Sequence, residues 1–418
     1  MRLKIARLTV FDILLIVIVF FAVLPLIYPK LISMIGNYVI WYVLFASAWV
    51  LITFSTRPAY FLFPTKFRLV VFIVIALIIL VPFLAQNIVL MRRFISLSSI
   101  LMFFLFYDFN KSTSRQHITK YILLLIIPFV LLTSIETLIA LERNAFISRA
   151  IKSSGERTLD ILSQGIGGYD FIYSLVIVVP LLISRTLEVG FIRKPFKGLL
   201  CITLLTLMTA VILKSNYFTA LVMMIVGVII IAFKHVQTSK LKSIYIPLLF
   251  FSSVVGITTF SGITLWAPEI LGVIETIFGS SLTGERLTIL IEYLAYGNDL
   301  SAITTREGVL LQGVVNSFSY FPFGLIFSQE SDRFYQIITH HSFIFDTLSI
   351  LGWLGGLFIY CIFLPLISRL RRGQKFEALS VLVPFIIVSI NNNLSYLIGF
   401  TTFFVVLYIL DTKTLNNE

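Results

Sequence analysis

Long apolar runs, seldom broken by a charged residue, alternate along the chain with short segments rich in Lys and Arg. A helix needs about 20 apolar residues to cross a hydrocarbon core about 30 Å thick. By that measure the pattern predicts about twelve spans. They fall near residues 9–28, 33–54, 69–87, 94–107, 121–141, 170–184, 198–213, 217–233, 244–265, 343–366, 378–391 and 398–410. The segments 94–107 and 398–410 are short, so hydropathy fixes their ends within several residues only. The basic start Met1-Arg2-Leu3-Lys4-Ile5-Ala6-Arg7 is followed by an apolar run with no small-residue cleavage site. That run reads as a first span and not as a removed signal peptide. The expected fold class is all-α, a polytopic transmembrane helix bundle forming a single integral membrane domain over residues 1–418.

Two connections are too long for simple loops, a smaller one over 142–169 and a large one over 266–342, before the tenth span. Loops beyond about 12–15 residues are usually functional or disordered. Amphipathic stretches such as Leu287-Thr288-Ile289-Leu290-Ile291-Glu292-Tyr293-Leu294 argue for order in the large one. Thr304-Thr305-Arg306-Glu307 has the form of a capping box opening a helix through about Tyr320, and Ser153-Ser154-Gly155-Glu156 offers the same start signal in the smaller loop. Both loops are expected to hold ordered, partly interfacial helices.

Composition agrees. Hydrophobic residues make up 58% and charged residues 12% of the 418 residues, against about 45–50% and about 25% in soluble domains. A soluble enzyme, a disordered chain and a nucleic-acid binder are excluded, despite a net charge of +12. With the N-terminus inside, most Lys and Arg fall in inner segments, among them Arg68, Lys111, Arg115, Arg185, Lys234, Arg369, Arg371 and Arg372. The predicted outer side is slightly acidic. The positive-inside rule thus places both termini in the cytoplasm and accounts for most of the +12. Cys201 and Cys361 both lie in apolar segments, which leaves no disulfide scaffold and no Cys-based metal site.

Chemistry should then sit in the outer loops. Arg143, Arg149, Lys152 and Arg157 cluster in the smaller loop, and Arg286, Arg306 and Arg333 lie in the large one. Arg is suited to bidentate contacts with phosphate and pyrophosphate. Nearby acids, including Glu285, Glu292, Glu307 and Asp332, make salt-bridge roles for some of these arginines an equal reading. His340-His341 closes the large loop as the chain re-enters the membrane. There a histidine suits general-base work near neutral pH or serves as an interfacial polar anchor. The first outer loop, Tyr28-Pro29-Lys30, carries no acid, and no Asp-x-Asp, Walker loop or dinucleotide fingerprint occurs. No metal or other cofactor is expected.

From Arg306 onward the chain resembles the O-antigen polymerase and ligase family of bacterial membrane proteins. The residues are Arg306, then Phe321-Pro322-Phe323-Gly324, then His341-Ser342-Phe343-Ile344-Phe345, then Gly352-Trp353-Leu354-Gly355. Ser342 stands where the family often has Asn. Gly165-Ile166-Gly167-Gly168-Tyr169-Asp170-Phe171-Ile172-Tyr173 is similar to polymerase members at a loop-to-span junction. The resemblance implies a GT-C-like bundle in the bacterial cytoplasmic (inner) membrane with its active site on the outer face. It implies inverting, metal-independent glycosyl transfer from an undecaprenyl-pyrophosphate-linked oligosaccharide to the non-reducing end of another lipid-linked repeat. Membrane lipid and a chain-length regulator are the further partners it suggests. His341 would take the acceptor proton and Arg306 would stabilise the leaving pyrophosphate. Arg286, Arg143, Arg149, Arg157 and His340 would bind pyrophosphate or glycan. Gly352 and Gly355 would allow close helix packing. A ligase acting on lipid A-core shares these motifs, and a lipid-linked oligosaccharide flippase is the alternative from a different class.

Overall fold

The computed structural model describes residues 9–31, 38–84, 88–113, 115–144, 147–148, 161–189, 195–238, 263–279, 288, 312–328, 342–370 and 374–415. Every regular element among them is helical. The first half contains Val10–Ile27 (α1), Tyr38–Thr56 (α2), Lys66–Leu84 (α3), Ile88–Ser112 (α4) and Gln116–Arg143 (α5). Tyr169–Val189 (α6), Pro195–Lys214 (α7), Phe218–Thr238 (α8) and Ile263–Phe278 (α9) follow. The C-terminal part holds Phe343–Leu351 (α10), Trp353–Leu370 (α11), Lys375–Asn391 (α12), Tyr396–Phe400 (α13) and Leu407–Leu415 (α14), with a π-helical stretch, Thr401–Val406, joining the last two.

Helices occupy each predicted span except 244–265, of which only 263–265 are described. Four of them, Val10–Ile27, Gln116–Arg143, Tyr169–Leu187 and Trp353–Leu370, are long and apolar enough to cross a membrane. Shorter apolar helices cover Ile40–Thr56, Gly198–Lys214, Phe218–Lys234 and Tyr396–Thr412. Large apolar side chains point outward along these helices, as at Ile40, Leu51, Leu124 and Ile229. Outward apolar faces belong to a bundle whose surroundings are themselves apolar.

α4 and α6 lie at the centre. α4 packs against α2, α3 and the C-terminal helix, and α6 against α7, α8, α12 and the same helix. Aromatic rings interlock along α4: Phe103 meets Phe45 and Phe400, Phe106 stacks on Phe404 at 5.6 Å, and Trp49 lies edge-on to Phe106 and Phe109. The high phenylalanine content is therefore partly core packing, each such pair contributing about 0.5–1.5 kcal/mol beyond its buried area.

Ion pairs gather at one end of the bundle. Arg115 meets Asp12, Arg68 meets Asp108 at 2.6 Å, and Lys234 meets Glu377 at 2.7 Å. Asp411 accepts from Tyr107 (2.6 Å), Lys111 (2.7 Å) and both Arg369 Nε and Nη2 (3.2 and 2.9 Å). The basic members of these pairs are residues that the charge pattern assigns to the inner side. This end is called the charged end below. α1, α5 and α12 start there, and α4, α6, α8 and α11 finish there, so their other termini define the opposite end.

Several helices run past the expected ends, as α4 does at Ile88 and Ser112, and two differences change the layout. The segment 343–366 is two helices, broken at Gly352, which has φ +56° and donates its N–H to the Leu348 carbonyl at 2.8 Å. Hydropathy runs unbroken through this position, but an L side chain there is strained and only glycine adopts the conformation freely. The second difference is at α9, which starts at Ile263 and runs through the boundary placed at 265/266.

Candidate functional site

Three features stand out, two toward the opposite end and a cavity that runs along the bundle. The first joins two pieces of the family-like motif. Gly324, with φ +87°, and Gly352 lie back to back: a Cβ on Gly324 would overlap the Ile350 carbonyl, and one on Gly352 would overlap the Pro322 carbonyl. The Trp353 N–H donates to the Pro322 carbonyl at 2.9 Å. Pro322-Phe323-Gly324 is thus seated on the break between α10 and α11. A Cβ on Gly355 would press on the Thr347 carbonyl, so this glycine serves the close approach of α10 and α11.

α10 is pinned at its start. Ser342 is fully buried and caps the helix, accepting from the Phe345 N–H at 3.2 Å, while the Phe343 N–H donates to the Asn392 carbonyl at 3.1 Å. Where the family often has Asn, Ser342 thus acts as an N-cap. His341, the residue before it, lies outside the described residues, as do His340, Arg306, Arg286, Arg149 and Arg157. Arg143 is described: it ends α5 and is exposed. The start signals at 153–156 and 304–307 and the amphipathic stretch 287–294 also fall outside, apart from Thr288; residues 312–319 are helical.

The second feature is an apolar cavity of about 230 Å³ between α5, α6, α7 and the C-terminal helix. Ile27, Val130, Phe171, Met208, Leu397 and Phe400 belong to its wall, and Ser174 and Thr401 are among its few polar residues. The π-helical stretch contributes Thr401 and Val405. An extra residue per turn changes how side chains are presented, and such stretches recur at functional sites.

The third is a polar cluster that sequence reasoning passed over. Glu136, on the last two turns of α5, accepts from the Tyr28 hydroxyl at 3.1 Å and pairs with Lys30 at 3.6 Å. The Tyr28-Pro29-Lys30 loop supplies no acid of its own, yet α5 delivers one to it. Gly165, with φ +82°, runs directly over this carboxylate, where any Cβ would overlap it. The Gly167 N–H donates to Thr137 Oγ1 at 2.8 Å. Tyr169, Tyr173 and Tyr217 form a ring cluster beside the glycine turn, with centroids 4.4, 5.9 and 6.0 Å apart. The sequence signal was present in two halves, the Gly165–Gly168 turn and a carboxylate near a span end. Their pairing joins residues 108 positions apart in the case of Tyr28 and Glu136, which periodicity does not encode.

Cavity and cluster adjoin through the chain. Ile27 lines the cavity beside Tyr28, its carbonyl accepts from Thr133 at 2.7 Å, and Phe171 follows the glycine turn. Leu397, also in the cavity wall, lies five residues after Asn392, whose carbonyl holds the start of α10. Among the described residues, no three His, Cys, Asp or Glu side chains are grouped to hold a metal ion. Comparison with protein-family models, with curated proteins and with solved structures finds no match.

Proposed function

We propose that the protein polymerises lipid-linked oligosaccharide repeat units in a bacterial cytoplasmic membrane, by inverting and metal-independent glycosyl transfer. The observation that carries this reading is the union of motif pieces far apart in sequence: Pro322–Gly324 seated on Gly352, beside a helix whose first residue follows His341-Ser342. An apolar cavity lined from Ile27 and Leu397 to Leu182 and Ile409 suits the hydrocarbon chain of a polyprenyl carrier.

In this mechanism an acceptor sugar hydroxyl attacks the anomeric carbon of the donor glycan. The new glycosidic C–O bond forms as the C–O bond to pyrophosphate breaks, with inversion. The hydroxyl proton passes to His341. Undecaprenyl pyrophosphate departs as an anion, and Arg306 and Arg286 stabilise the charge that develops on it. Arg143, Arg149, Arg157 and His340 belong to the binding surface for pyrophosphate or glycan.

The genetic test uses cells lacking the native gene and carrying His341→Ala or Arg306→Ala. Both variants should accumulate in the membrane and yield glycan of a single repeat where the wild type gives a ladder. Normal ladders from both would overturn the proposal. Long lipid-linked polymer that never reaches lipid A would favour the ligase.

A further inference from the structure

Residues 312–328, at the end opposite the charged one, present large apolar side chains outward. Phe318, Phe321, Phe323 and Phe327 are 77%, 61%, 67% and 65% exposed, and Val315 is also exposed. So many exposed rings in one short segment exceed the scattered apolar residues of a water-facing surface. The helical stretch 312–319 turns Val315 and Phe318 outward and buries Gly313, Asn316 and Ser317. A surface helix in water does the opposite. No charged residue occurs from Gly308 to Gln329.

Polar side chains of the same segment find partners within it. Gln312 Nε2 donates to Asn316 Oδ1 at 2.7 Å, Ser319 Oγ to the Val315 carbonyl at 2.9 Å and Ser328 Oγ to the Leu325 carbonyl at 2.8 Å. Hydrocarbon demands such internal pairing, and water does not. The segment is also fixed to the bundle. Leu325 and Ile326 are buried, their turn packs against α10, and the Pro322 carbonyl holds the Trp353 N–H. Trp353 begins α11, one of the helices long and apolar enough to cross a membrane. Trp353, Tyr360 and Ile367 are all exposed, and their spacing puts them on one stripe down that helix. The phenylalanines therefore adjoin the end of a stripe that faces lipid.

We propose that Phe318, Phe321, Phe323 and Phe327 form an apolar wedge inserted among the lipid acyl chains of the leaflet at this end, with Trp353 at the boundary between acyl chains and headgroups. The occupant is bilayer lipid and not a second protein, because the adjoining stripe is itself a bilayer surface and the segment supplies no charged residue for the polar rim of a protein interface. Once inserted, the wedge holds the Pro322–Gly324 contact with Gly352 at the membrane surface. The wedge does not depend on the polymerase reading.

The experiment adds one tryptophan to the full-length protein, as Phe318→Trp or Phe323→Trp, in nanodiscs of phosphatidylethanolamine and phosphatidylglycerol. Both changes keep an aromatic ring at an exposed position, and either variant serves if the other does not fold. The emission of the added residue is the difference from the wild type, which carries four tryptophans. Lipid brominated on the upper acyl chain should lower that emission by about half or more, since an interfacial apolar face sits about 5–10 Å deep. Acrylamide in the water should leave it nearly unchanged. Quenching by acrylamide and not by brominated lipid would place the side chains in water, and protection from both would place them under protein. Either result overturns the wedge. The readout needs no substrate, so its failure leaves the polymerase reading standing, and failure of that reading leaves the wedge standing.

Discussion

Gly352 and Gly324 carry more of the site's geometry than any charged side chain among the described residues. Each has positive φ and each presses its Cα against the other's segment. Gly352→Ala would impose a strained backbone costing about 1–3 kcal/mol, and the overlap with the Pro322 carbonyl would add to that. We therefore expect a lower thermal unfolding midpoint in detergent for Gly352→Ala, and little change for Gly356→Ala, where an added Cβ makes ordinary contact with Leu348. Equal midpoints for the two variants would contradict the back-to-back packing. The sequence offered these glycines as motif members and Gly355 as a packing residue, and the close approach to Thr347 fits that. It offered no reason to single out Glu136, because one acid near a span end looks like an interfacial residue until its partners from α1 and the glycine turn are brought to it.

Two elements set the shape of the bundle. The C-terminal helix is held at the charged end by Asp411, which joins α4 and α11 through Tyr107, Lys111 and Arg369. Removing one partner of a buried ion pair leaves the others uncompensated and costs about 3–5 kcal/mol. Asp411→Ala should accordingly reduce the folded yield and the unfolding midpoint sharply; a stable, well-expressed variant would show that this network contributes little. Farther along the same helix the π-helical stretch forms one wall of the cavity. Met208, on the facing α7, is buried and lines the cavity. Met208→Trp should occupy the space and raise KM for a polyprenyl-linked substrate several-fold with kcat retained. An unchanged KM would detach the cavity from substrate binding. Hydropathy revealed α7 and the C-terminal helix as apolar segments, but the π-helical stretch packs against α4 and α6, contacts that no local pattern records. The break at Gly352 was hidden for a related reason: apolar residues flank it on both sides, and a window of hydropathy averages over one backbone angle.

At the scale of the molecule, apolar runs and the positions of Lys and Arg were enough to read a helical bundle with one strongly charged end. Arg68, Lys111, Arg115, Arg185, Lys234 and Arg369 were assigned to one side from sequence, and their described contacts with Asp108, Asp411, Asp12, Ile409, Glu377 and Asp411 lie at one end. Their pairing partners were not legible, since each joins helices distant in sequence. On this reading the charged end faces the cytoplasm, and the end bearing the Gly324–Gly352 contact and Glu136 faces outward. The most direct test is reconstitution of the purified protein in proteoliposomes with a single-repeat oligosaccharide on undecaprenyl pyrophosphate, in the presence of a metal chelator. The proposed reaction predicts a ladder of lengthened lipid-linked glycans with release of undecaprenyl pyrophosphate, abolished by His341→Ala. Movement of the lipid-linked repeat across the bilayer with no lengthening would contradict it.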